Sequence, residues 1–165
     1  IEKRAEEKNN QSIKRTPKKA ATKINNKGVK TERSNRIDQL LKINQESIKP
    51  ELIDLMLKPG LYLERSLAVL KVARDNSIND LTPAEIEAFL KDKIRSGAIW
   101  KSNISLYLGK KGTRYVDRYR DPSGNGYTYR IMVSGEQFLE QALKKLNTSS
   151  NSIEDNMSKN EEKTE

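Results

Sequence analysis

The chain has 165 residues, 34% of them hydrophobic and 33% charged, with 32 Lys and Arg against 23 Asp and Glu for a formal charge of +9, and neither histidine nor cysteine. The missing side chains exclude thiolate nucleophiles, disulfides, the usual zinc ligands and the commonest general base near neutral pH. No apolar run is long enough to span a bilayer and no signal peptide is visible, so no membrane partner is expected.

Residues 1–36 are rich in Lys, Asn, Thr and Ser and nearly devoid of large apolar residues, which predicts a disordered basic arm. Arg15-Thr16-Pro17-Lys18-Lys19 within it reads equally as a solubilising linker or as a non-specific nucleic-acid arm. Residues 37–60 are read as a helical linker. Ile37, Leu40 and Leu41 recur at helical spacing, Pro50 suits a first helical position with Glu51 in the first turn, and Pro59-Gly60 ends the helix. The apolar side chains of this linker are expected to pack on a core, with self-association as the alternative.

A compact domain is expected over 61–146. Leu63, Leu67, Leu70 and Arg74 form one stripe of an amphipathic helix ending near Asn76. Thr82-Pro83-Ala84-Glu85 is a capping box with proline at the first helical position, and Ile86, Phe89, Leu90 and Ile94 continue it as an apolar face until Ser96-Gly97. Ser102 is expected to cap a third helix over Asn103–Lys110, with Ile104 and Leu108 inward. Residues 115–120 and 127–133 alternate around the turn Asp121-Pro122-Ser123-Gly124-Asn125-Gly126, which predicts a β-hairpin. Ser134 is expected to cap a last helix bearing Phe138, Leu139, Ala142, Leu143 and Leu146, followed by a disordered tail over 147–165.

Charge is unevenly placed along this order. Residues 1–36 hold twelve cations and four acids, and 147–165 two cations and five acids. Within the rest, residues 93–130 hold nine cations against Asp117 and Asp121, while the remainder is net acidic. Excess charge concentrated in one folded region self-repels and calls for a polyanion.

Helix, helix, turn, helix, hairpin, helix, with the basic region on the third helix and hairpin, resembles the winged helix-turn-helix superfamily over about residues 61–146. The resemblance implies an α+β, mostly helical fold: three helices, a β-hairpin wing and a C-terminal helix, with disordered tails. It also implies that the third helix enters the major groove of double-stranded DNA while the wing touches the backbone. By position, Asn103 and Ser105 are then candidates for base edges, with Ser102 beside them. Lys101, Lys110, Lys111, Arg114, Arg118 and Arg120 are candidates for phosphates, and Asn125 and Arg130 complete the set on the wing. The third helix carries no Arg, so strong sequence specificity is not expected of it.

Structural readings stand beside these. Lys110 and Lys111 can neutralise a helix C-terminus. Arg118, Arg120 and Arg130 can be cross-strand partners of Asp117 and Asp121. Tyr115, Tyr119, Tyr127 and Tyr129 read as hairpin packing, and Trp100 as core beside Ile99. The expectation is a cytoplasmic, nucleoid-associated DNA-binding protein, a transcription regulator or plasmid maintenance factor, with no cofactor, no metal and no enzymatic activity. A homodimer or larger protein assembly stays open. The alternative is an interaction module for an acidic protein, with RNA as a further ligand class.

Overall fold

The computed structural model describes residues 35–97, 99–122 and 126–161. Residues 1–34 of the basic arm expected over 1–36, and Asn125 with the rest of the expected wing tip at 123–125, lie outside them; residues 35 and 36, expected in that arm, are helical. The architecture is α+β and mostly helical. It comprises α1 (35–42), α2 (Pro50–Leu57), α3 (Tyr62–Asp75), α4 (Pro83–Ala88), α5 (Lys101–Leu106), β1 (Val116–Arg120), β2 (Tyr127–Ile131) and α6 (Val133–Glu161).

The helix α3 lies at the centre and touches α2, α4, α5, β2 and α6. Its sequence explains this placement. Leu63, Leu67, Ala68, Val69, Leu70, Val72 and Ala73 are all buried, too many for one stripe, so the helix is covered on several sides. Arg74 leaves the predicted stripe for the surface, where Nη1 lies 3.1 Å from Glu136 of α6.

Leu40, Ile43, Ile48, Leu52, Leu55 and Met56 join the same buried cluster as α3. The stretch expected as a linker therefore packs on the domain, in line with the core role expected of its side chains. Asn44 starts the 3-10 turn Gln45–Ser47 by accepting a hydrogen bond from the Glu46 amide at 3.1 Å, which holds Ile43 and Ile48 inward on either side.

The capping box of α4 forms as expected. The Glu85 amide donates to Thr82 Oγ1 at 3.3 Å and the Thr82 amide to Glu85 Oε2 at 2.6 Å. Glu85 is fully buried and also takes Arg36 Nε at 3.2 Å, so the start of α1 is pinned to the start of α4. Beyond Ala88 the helix widens into a π turn, Phe89–Lys93, closed by the Ile94 amide on Phe89 O at 3.1 Å. The extra residue per turn brings both Phe89 and Leu90 inward, and both are fully buried.

Two predicted caps differ. The helix α5 starts at Lys101, and the Trp100 carbonyl, not the Ser102 side chain, receives its first amides, from Asn103 at 2.8 Å and Ile104 at 3.1 Å. Burial of Ile99 sets the chain direction ahead of Ser102. At α6, which begins at Val133, Ser134 Oγ donates to Arg114 O at 2.6 Å and ties the helix to the hairpin instead of capping it. The helix α6 also runs on to Glu161, where a disordered tail was expected from Asn147. No Gly or Pro interrupts residues 136–161, so a helix begun on the core meets no breaker.

Candidate nucleic-acid interface

The hairpin pairs Val116 with Ile131, Arg118 with Tyr129 and Arg120 with Tyr127 on one face, and Asp117 with Arg130 and Tyr119 with Thr128 on the other. On the first face Val116, Ile131 and Tyr129 are buried and fix the base of the wing to the core. Leu81 adds a bridge to β2: its amide donates to Tyr129 O at 3.0 Å and the Tyr129 amide donates to Leu81 O at 2.8 Å. Leu81 directly precedes the cap of α4, so one residue couples the hairpin to that helix. A one-residue bridge leaves no alternation to read, so residues 77–81 carry no strand signal in the sequence.

The third helix is extended by a π turn, Tyr107–Lys111, that closes with the Gly112 amide on Tyr107 O at 2.7 Å. Seven residues separate the π turn of α4 from α5. Ser96 and Gly97 among them are held by a polar network. Arg65 of α3 donates through Nη2 to Ser96 Oγ and, at 2.9 Å, to Gly97 O, while Ser96 Oγ donates to Met56 O at 2.6 Å. Burial pushes the Arg65 guanidinium below its ordinary pKa, against a smaller opposing effect of Tyr62. Arg95 takes a left-handed φ of 56° and lets the chain leave α4 here.

Between α5 and the hairpin lies an open cleft of about 510 Å³, lined by Ser102, Ser105, Lys110, Arg118 and Tyr127 among others. A second cleft of about 390 Å³ shares Ser102, Ser105 and Tyr127, adds Lys101, and is closed by Thr82–Ala84 at the start of α4. The expected candidates Lys101, Ser102, Ser105, Lys110 and Arg118 are thus brought together. Lys111 lies apart, its Nζ 4.8 Å from the Tyr107 ring, and Arg114 stands 5.7 Å from the Tyr115 ring. Arg120 is exposed on the wing, and Asn103 is half-buried and lines neither cleft.

The cations of the basic region sort by their partners. Arg130 donates to Asp80 at 2.8 Å, and this hydrogen bond, partly opposed by desolvation, raises its pKa; it is a structural strut as much as a surface charge. Arg36, Lys71 and Arg74, outside this region, also form ion pairs. No carboxylate pairs with Lys101, Lys110, Lys111, Arg114, Arg118 or Arg120 among the described residues. Of the cross-strand partners of Asp117 and Asp121 expected as an alternative, Arg130 stands opposite Asp117 in the register, while Arg118 and Arg120 stand opposite Tyr129 and Tyr127. Arg118 instead stacks on Tyr127, its guanidinium carbon 3.4 Å from the ring centroid.

Trp100 corrects its expectation: it is 64% exposed, whereas Ile99 beside it is buried. Alternation at the entry to α5 puts one of the two inward, and the smaller, β-branched residue takes the core. Tyr119 and Tyr127 are also exposed, while Tyr129 is buried and Tyr115 stacks on Phe138, so only part of the tyrosine set packs. The Arg118–Tyr127 contact was legible in principle. A hairpin pairing residue 120 with 127 sets 118 diagonal to 127 on one face.

Among the described residues no group of His, Cys, Asp or Glu could hold a metal ion, and no helix is long and apolar enough to cross a membrane. No family model, no curated protein and no solved structure matches this chain.

Proposed function

We propose that the protein binds double-stranded DNA, with α5 directed to the major groove and the hairpin as a wing on the backbone, in the manner of a winged helix-turn-helix. The observation that carries this reading is the gathering of Lys101, Lys110 and Arg118 about the clefts between α5 and the hairpin, with Lys111, Arg114 and Arg120 close by in the chain and none of the six in an ion pair among the described residues. The Leu81 bridge supports the topology, since it joins a strand residue before α4 to the wing. Lys and Arg at the clefts release counterions from the duplex on binding, and the serines of α5 have hydroxyls for phosphates or base edges. Without an Arg on α5 the binding is governed by backbone contacts more than by base reading. A regulator or a plasmid maintenance factor is the class of protein that fits.

Exposed Trp100 and Leu106 favour one second reading, a module that docks an acidic protein. Titration with labelled duplex DNA, single-stranded DNA and RNA over a range of salt separates these. The expected result is tightest binding to duplex. The double change Arg118→Ala with Arg120→Ala should weaken all duplexes and lower the salt slope by about one unit per lost phosphate contact. Absence of duplex affinity at low salt leaves the protein-docking reading in its place.

A further inference from the structure

We propose that Arg118, stacked on Tyr127, anchors a clamp that grips one phosphodiester strand of the duplex between α5 and the wing. This rests on the DNA-binding reading and goes beyond it in assigning the contact to side-chain geometry instead of to net charge.

Four observations lead here. The cleft that contains Arg118 is bounded on both sides by donors: Ser102, Ser105 and Lys110 from the helix side, Arg118 from the wing. It is open and shallow enough for a strand to pass through rather than for a small molecule to be enclosed. Arg118 has no carboxylate partner among the described residues, unlike Arg130 on the opposite face of the same hairpin. Finally, the 3.4 Å stack covers one face of the guanidinium and leaves its donor edge available. A guanidinium held in this way is partly desolvated and loses little rotamer freedom on meeting an anion, and its planar fork matches two phosphate oxygens. A lysine at the same place supplies the charge but neither the stack nor the fork.

The wing therefore contributes a preorganised phosphate contact that is indifferent to base sequence. Arg120, two register positions nearer the tip, lines neither cleft and serves as a general cation.

The test uses the full chain and short labelled duplexes of several unrelated sequences. Arg118→Lys should weaken every duplex by about tenfold, close to the loss from Arg118→Ala, while Arg120→Lys, which keeps the only property that residue supplies, should weaken them far less than Arg120→Ala does. Tyr127→Phe keeps the stack and should bind as the parent does, whereas Tyr127→Ala should reproduce much of the Arg118→Lys loss. Thermal melts of the variants should match the parent, since both side chains are at the surface. If Arg118→Lys binds like the parent, or if its loss is confined to one sequence, the clamp is overturned while DNA binding stands. If the parent itself has no duplex affinity, the DNA-binding reading fails and the clamp with it.

Discussion

Arg65 is the bulkiest of the fully buried side chains, and its Nε finds no hydrogen-bond partner. Its Nη2 holds both Ser96 and Gly97, so it fills volume and fixes a turn at once. Arg65→Ala should lower the unfolding free energy by roughly 2–5 kcal/mol, as other large-to-small changes in a core do. Arg65→Met restores most of the volume and removes the charge that burial disfavours, so it should cost clearly less. Equal losses in denaturant melts would assign the site to the hydrogen bonds alone. Trp100, the single tryptophan of the chain, behaves oppositely. Trp100→Ala should change stability by no more than about 0.5 kcal/mol, and its fluorescence should respond to duplex DNA because it borders Lys101. An emission spectrum that ignores saturating duplex would place the interface elsewhere.

At the scale of elements, the start of α6 is packed against the segment that leads into β1. A Cβ on Gly135 would lie 2.4 Å from Tyr115 O, a carbonyl that already accepts from the Met132 amide at 2.9 Å and cannot easily retreat. Gly135→Ala should therefore destabilise the protein by roughly 1–3 kcal/mol, despite alanine's better helix propensity; a neutral or stabilising outcome in thermal melts would show that α6 can slide. Much of this level was legible in the sequence. The Thr82 capping box, the inward Phe89, Leu90, Ile104 and Leu108, and the hairpin around 121–126 follow from local chemistry and period. What was not legible depends on partners distant in the chain. Ser102 and Ser134 are good caps in isolation, but Ile99 and Arg114 decide where the helices begin. The π turns need tertiary packing to repay their geometry, and the Leu81 bridge exists only because β2 lies beside it. At the site, cation placement could be read from composition, but which cations are neutralised could not, since Arg130 meets Asp80 across fifty residues.

At the scale of the whole molecule, the helices before residue 61 contribute Leu40, Leu52, Leu55 and Met56 to the core around α3, and Met56 O holds Ser96. A fragment starting at Leu61 should lose its cooperative melt, whereas one starting near residue 35 should keep it; a cooperative transition in the shorter fragment would make the first two helices an accessory. The Leu81 bridge has a further consequence. Because Leu81, one residue before the cap of α4, is bonded to the strand that carries Tyr127 and Tyr129, the hairpin is tied to the helices, and the two walls of the cleft are expected to hold their separation before any ligand arrives. Association should then be a single step with no slow rearrangement. In stopped-flow mixing the observed rate should rise linearly with duplex concentration and fall steeply with salt, as for encounter steered by charge, and a plateau at high duplex concentration would reveal a hinge where the bridge forbids one.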